Sequence, residues 1–313
     1  MTLGGVVGFV VLSVLLLTAL SLVATAGVAL AGARLRRAGP AAERSAAAWA
    51  LLAPATLTLA VVAALAIRGS GSIDHCIGHD HHAHLCFAHG GAWFARPWAI
   101  ALAAASTLTL LLRLAGVAWR RIQTGAAIAD VRRVAECADR VRIVRSQRVF
   151  CFVAGHRKPE VFVSSRAWEA LSADEREAVI AHERAHAAQG DLWLGALIDV
   201  ASVFAAPLAG GWLRARWSDA SERLCDARAA QHTAPETVAD SLVRLCRAGH
   251  VQHVPSGFTP RSEALEHRVR AVLASGPIGS ELHPAAWCLA AVAIIATAVF
   301  ATHLHHAFET LLG

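Results

Sequence analysis

The chain has 313 residues, 56% of them apolar and 17% charged, with a mean hydropathy of +0.47. A soluble domain runs nearer about 50% apolar and 25% charged, so a wholly soluble globule is excluded and the surplus belongs in a bilayer. The formal charge of +6 rests on arginines apart from Lys158 and forms no basic run interleaved with aromatics. Direct nucleic-acid binding is excluded on that ground, and the charge reads as membrane orientation.

Four apolar runs are long enough to span, at roughly 20 residues per crossing: Leu3–Ala31, Ala46–Ile67, Trp98–Trp119 and Ala285–Leu304. The first has no basic residue before it and Arg34, Arg36 and Arg37 after it, the reverse of a signal peptide. It is therefore a retained helix with its N-terminus outside. The connection Arg34–Ser45 carries four arginines and one glutamate, which places it in the cytoplasm. Counting crossings puts Arg68–Pro97 outside and the region from Arg120 inside, where Arg120, Arg121, Arg132 and Arg133 agree. Arg113 lies near the inner end of the third span and can snorkel. The expected organisation is three transmembrane helices over 1–119 with an outer loop at 68–97, a cytoplasmic domain over 120–283, and a last span with a short outer tail over 284–313.

The outer loop concentrates His75, Cys76, His79, His81, His82, His84, Cys86 and His89. Imidazole and thiolate are ligands for zinc and copper, so one reading is a loop that senses or buffers such a metal. A second is a Cys76–Cys86 disulfide with the histidines as a proton sensor. A third is a plain polar loop. The scattered cysteines Cys137, Cys151, Cys225 and Cys246 read as small buried core residues.

In the cytoplasmic region, Ser172-Ala173-Asp174-Glu175 has the form of a capping box, followed by apolar residues at helical spacing and by Gly190 as a stop. The helix so framed carries His182-Glu183-Arg184-Ala185-His186. Two histidines four apart project from one face, one turn apart, where a single tetrahedral zinc takes both. Glu183 between them falls near the metal's open position, where a carboxylate serves as a base toward water. Further on, Glu222 and Asp226 share a helical face. Glu222 is the candidate third ligand, and Asp226 the group that fixes one histidine's tautomer. Arg184 reads as a solvated helix residue.

These motifs resemble the BlaR/MecR-type family of integral-membrane zinc metallopeptidases and, more distantly, the HtpX and CAAX-protease families. The resemblance covers about 140–274. It is carried by Gly155-His156-Arg157-Lys158-Pro159, the strand Glu160–Ser164, Leu171–Glu175, His182–His186, Asp191, Glu222-x-x-Cys225-Asp226 and Leu265–Arg270. It implies an α-helical membrane protein with an inserted cytoplasmic α+β zincin-like (gluzincin) peptidase domain. One catalytic Zn2+ is then held by His182, His186 and Glu222, with Glu183 as base and Asp226 behind a histidine. It further implies a multi-pass protein of the bacterial inner membrane, contacting lipid and cleaving a protein substrate, with a cytoplasmic transcriptional repressor as the expected target. An oligomer is compatible with the sequence. BlaR/MecR-type proteins carry a penicillin-binding sensor domain after the last span; the sequence ends at Gly313, and the expectation is a peptidase without that sensor. Quality control of the HtpX kind, and a non-catalytic membrane metal sensor, are the competing functions.

A fifth apolar run, Leu192–Leu213, is long enough to cross once. A crossing would separate Glu222 from His186, and Asp199 and Pro207 interrupt the run. The expectation is a membrane-associated helical hairpin. For the substrate, Val161-Phe162-Val163 is a candidate edge strand, with an ordinary internal strand as the equal alternative. An oxyanion donor is sought among Arg223, His156 and His232, since the chain has no tyrosine.

Overall fold

The computed structural model describes residues 3–69, 94–138, 141–248, 261–274, 276–280 and 296. The His/Cys-rich loop and the fourth expected span lie outside the described residues. The protein is mostly helical, with three candidate membrane helices and a small mixed sheet.

Helices α1 (Leu3–Ala38) and α2 (Pro40–Gly69) form a hairpin across a single residue, Gly39. Helix α3 (Pro97–Val134) has 38 residues, about 57 Å at 1.5 Å per residue. That far exceeds the roughly 30 Å of a hydrocarbon core. The helix does not break after Trp119. It continues as a strut, and Ile128 and Val131 near its end pack on Val144, Ala154 and Phe162 of the sheet.

The sheet comprises β1 (Glu136–Ala138), β2 (Val141–Val144), β3 (Cys151–Ala154) and β4 (Glu160–Ser164) in the order β1-β2-β4-β3. Strand β4 runs parallel to β2 and antiparallel to β3, with Phe162 opposite Phe152. Of the two readings of Val161–Val163, the internal strand holds and the edge does not. All three residues are buried, and β4 is paired on both sides. The edge is β3, one position further out, because the turn at 155–159 folds the chain back outside β4.

After the short α4 (Ser165–Ala170), the motif helix α5 (Ala173–Ala188) is followed by α6 (Asp191–Phe204), α7 (Pro207–Ala229), α8 (Pro235–Ala248) and α9 (Arg261–Leu273). The run 192–213 is thus two helices. Ala206 is extended, as the residue before a proline tends to be, and Pro207 opens α7 in its first turn, where a missing N–H costs nothing. Arg113 of α3 donates to Ser202 O at 2.8 Å and Ala205 O at 3.2 Å, satisfying carbonyls at the α6 C-terminus that the helix leaves unpaired. Val28, Ala48 and Leu51 of α1 and α2 share one core with Ile198, Ala201, Ala205 and Leu213. Membrane hairpin and motif-bearing region are packed together rather than merely tethered.

Of the four scattered cysteines, only Cys225 is buried. Cys137 and Cys246 are exposed, one on the outer strand β1 and one in the last turn of α8, and Cys151 is half-buried on β3. The expectation of four core cysteines fails because three of them sit on edges of the fold.

Candidate metal centre and active site

Helix α5 begins with the reciprocal cap read from the sequence. Ser172 Oγ accepts from the Glu175 N–H at 3.3 Å, and Glu175 Oε2 accepts from the Ser172 N–H at 2.7 Å. Arg244 of α8 donates to the other Glu175 oxygen at 2.7 Å. The helix ends at Gln189, and Gly190 follows with φ of 68°, a left-handed conformation that favours glycine. The chain reverses there, so Asp191, the first residue of α6, comes back beneath His186. Helix α7 packs across α5 and brings in Glu222 and Asp226 from successive turns.

The Nε2 atoms of His182 and His186 are 3.2 Å apart. Glu222 offers one oxygen to each, Oε2 at 3.6 Å from His182 and Oε1 at 3.6 Å from His186. Donors around a tetrahedral zinc with bonds of ~2.0–2.1 Å stand about 3.3 Å from one another, so this set fits the ion. Each outer ring nitrogen has a carboxylate beside it. His182 Nδ1 lies 2.9 Å from Asp226 Oδ1, off the ring's ideal N–H direction, and His186 Nδ1 lies 2.7 Å from Asp191 Oδ2. Carboxylates on both Nδ1 atoms hold the protons there and turn two Nε2 lone pairs toward one point, an arrangement that calls for a cation.

Each aspartate has its own cation. Arg268 of α9 grips Asp226 with both arms, at 2.7 and 2.8 Å, and reaches Glu222 Oε2 at 3.0 Å. Arg44 of α2 pairs with Asp191 Oδ1. His186, Asp191 and Cys225 also cluster closely enough to suggest a second ion. The Arg44 guanidinium already supplies the positive charge there, and burial pushes the Cys225 thiol well up, keeping it neutral and a poor ligand.

Among protein groups alone, burial opposes the charge on His182, but hydrogen bonds to Asp226 and Glu222 win and raise it to about 10. Burial works against the Glu222 charge as well, yet His182, Arg268 and His186 hold its carboxyl below the usual range. Glu183 differs in kind. Burial raises it, the two histidines pull it back, Glu222 adds to the rise, and the net result is a carboxyl above its ordinary value. Its partner is the backbone of Val153 on β3, so it sits between the motif helix and the edge strand.

These groups line a cleft of about 1710 Å³ with the edge strand β3 along its wall. The size suits an extended chain better than a small molecule. Of the three donors considered from sequence, His156 lines the cleft, its ring 4.5 Å from that of Trp193. Arg223 does not; adjacent helical residues point about 100° apart, and Arg223 turns from Glu222 toward α2, where it pairs with Glu43 at 2.6 Å. His232 stands in the turn after α7, exposed and outside the cleft lining. Three residues with contacts to the site were given no role from sequence: Asp191, Arg268 and Arg44. The first two lie in motifs that could have prompted the question, an acid just past the helix stop and an arginine on a late helix. Nothing local marks Arg44.

Neither the curated proteins nor the solved structures gave a match to this chain. The family model described as BlaR1 peptidase M56 matches residues 96–272, more than half of the sequence and the whole of the centre just described apart from Arg44. By that match, and with three candidate membrane helices around a histidine, histidine and glutamate centre, the chain belongs to the BlaR1 peptidase M56 family of zinc metallopeptidases.

Proposed function

We propose that this protein is a membrane-embedded zinc endopeptidase in which His182, His186 and Glu222 hold the metal and Glu183 is the base. The observation that carries this is the convergence of two Nε2 atoms 3.2 Å apart with Glu222 at 3.6 Å from each. Zinc, when bound there, supplies Lewis acidity that polarises a peptide carbonyl and acidifies water. A substrate strand adds to β3, whose outer side is unpaired among the described residues, and so lies across α5. Glu183, its carboxyl raised above the ordinary range chiefly by burial, takes the proton of the attacking water and returns it to the leaving amine. Asp226 and Asp191 keep the two imidazoles in register. His156, which lines the same cleft, is the candidate donor to the substrate. Metal analysis of the purified chain tests the site. One zinc per chain, lost on Glu222→Ala and kept on Glu183→Gln, is the expected result; equal zinc in the Glu222→Ala protein would refute the ligand set.

The site faces the cytoplasm in this reading. The arginines that flank the spans support it by the positive-inside rule. The α6–α7 hairpin dips into the inner leaflet without crossing. Fourteen residues of α6 rise about 21 Å, short of a bilayer core. Its tip is hooked by Arg113, seven residues or about 10 Å deeper than Arg120 along α3. Trp193, Leu197, Val200, Leu208 and Trp212 are exposed on its surface, as a lipid-facing hairpin requires. Cysteine labelling along 192–213 checks this, and a position reached from outside alone would rule it out. The target is a cytoplasmic or membrane-proximal protein in regulatory signalling, of the repressor type. Substrate trapping by Glu183→Gln is the test: capture of one defined protein agrees, whereas capture of many misfolded membrane proteins would make it a quality-control protease.

A further inference from the structure

The connection between the first two spans holds four arginines, and they do not behave alike. Arg34, Arg36 and Arg37 end α1 exposed, as orienting charges do. Arg44, on the second turn of α2, has a side chain only 4% exposed. It donates through Nε to Ser221 Oγ at 3.0 Å and through Nη2 to Gln189 O at 3.2 Å, and pairs with Asp191 Oδ1. Its guanidinium also stands 6.0 Å from the Trp217 ring centre. Gln189 closes the motif helix, Asp191 opens the next, and Ser221 precedes Glu222. One side chain from a membrane helix thus reaches both elements that carry the metal-site residues.

The two oxygens of Asp191 divide their work. Oδ2 accepts from His186 Nδ1 at 2.7 Å and Oδ1 faces Arg44. A buried carboxylate with no cation beside it is free to rotate away, and that frees the imidazole it was holding. We infer that Arg44 is a positioning residue of the zinc centre: by fixing Asp191 it orients His186, so the centre is completed only when the α1–α2 hairpin is seated. The seat itself is close-fitting. Gly39 has φ of 103°, and a Cβ there would meet Pro277 O at 2.4 Å, while the Ala41 N–H donates to Ile278 O at 3.2 Å. Next to Arg44, Glu43 binds Arg223 of α7 at 2.6 Å, an anchor that touches no metal-site residue directly. This inference rests on the ligand set proposed above.

The test uses the full chain in detergent. Zinc affinity is read by competition with a chromophoric chelator, and the ligand field by the visible absorption of the cobalt-substituted protein. Arg44→Gln is expected to weaken zinc about tenfold or more and to shift the cobalt bands, the range seen for groups behind a metal ligand. Asp191→Asn is expected to do the same, and the double variant to be no worse than the poorer single one, since both break one chain of contacts. Glu43→Gln, which loosens the same turn elsewhere, should lower the Tm and leave affinity and bands unchanged. If Arg44→Gln does not fold, Arg44→Lys keeps the buried charge without the fork and should still weaken zinc and shift the bands. Wild-type affinity and spectrum in the Arg44 variant, additive losses in the double variant, or an equal loss in Glu43→Gln would each overturn the inference. A wild-type chain that holds no zinc would overturn the ligand set instead, and this inference with it.

Discussion

The two histidines of the centre are supported by similar chains of contact that end in different parts of the molecule. His182 leans on Asp226, and Asp226 is gripped by Arg268 of α9, all within the segment that the family model matches. His186 leans on Asp191, and Asp191 is held by Arg44 of α2, outside that segment. Asp226 is fully buried and its arginine bidentate; Asp191 shares Arg44 with Ser221 and Gln189. One half of the centre is self-contained and the other borrows its last contact from a membrane hairpin. A change at the membrane therefore has a direct side-chain route to His186 through Asp191, whereas it reaches the supports of His182 only by way of α7, through Ser221 and Arg223.

Glu183, the proposed base, belongs to neither half, and its replacement separates chemistry from metal holding. Glu183→Gln should lower turnover of a peptide substrate by about 10²–10⁴-fold while the zinc content and cobalt spectrum of both halves stay as in the parent. Zinc loss in that variant would show that Glu183 is part of the metal's cage. Next in size is the self-contained half. Arg268→Gln strips Asp226 of two hydrogen bonds and Glu222 of its 3.0 Å contact, so it disturbs two metal-site residues together. Its zinc affinity should fall by about 10–100-fold, more than in Arg44→Gln, where one ligand is disturbed. Chelator competition on the two proteins side by side checks the order, and the reverse order would mean that the membrane-borne contact is the stronger of the two.

The asymmetry also explains what could be read from sequence. The motif helix was legible because its signals are local: a capping box, two histidines at helical spacing, and a glycine at the reversal. Three of the four expected spans were legible because a hydrocarbon core demands length and apolarity and little else. Pairing within the sheet was not, since whether Val161–Val163 lies inside or at the edge depends on how the 155–159 turn folds β3 past it. Arg223, one of the three donors considered, does not line the cleft, because one step along a helix turns a side chain away from its neighbour's direction. Arg44 was hidden by a sufficient explanation. An arginine in a connection read as cytoplasmic needs no further reason to be there, and its partner Asp191 stands 147 residues away. Contacts made across such a separation leave no periodicity behind them.

A smaller change should act on both halves equally, because both histidines ride on α5. Ser172→Ala removes the cap at the start of that helix and should cost about 1 kcal/mol, seen as a lower Tm with zinc affinity in the folded protein unchanged. The same cap has a pH signature. Burial alone would raise the Glu175 carboxyl, but the Ser172 N–H, the Ser172 hydroxyl and Arg244 together hold it below its ordinary value. A carboxyl lower in the folded than in the unfolded chain gives its full stabilisation above the unfolded pKa of roughly 4.3 and loses it as pH falls through the lower, folded one. Glu175→Gln removes that dependence. In thermal melts taken on the chelated protein, so that metal linkage is absent, the parent should lose more stability than the variant as pH is lowered through this window. Parallel curves would show that the Ser172 hydroxyl alone makes the cap, and that the two halves share only half of the anchor drawn here.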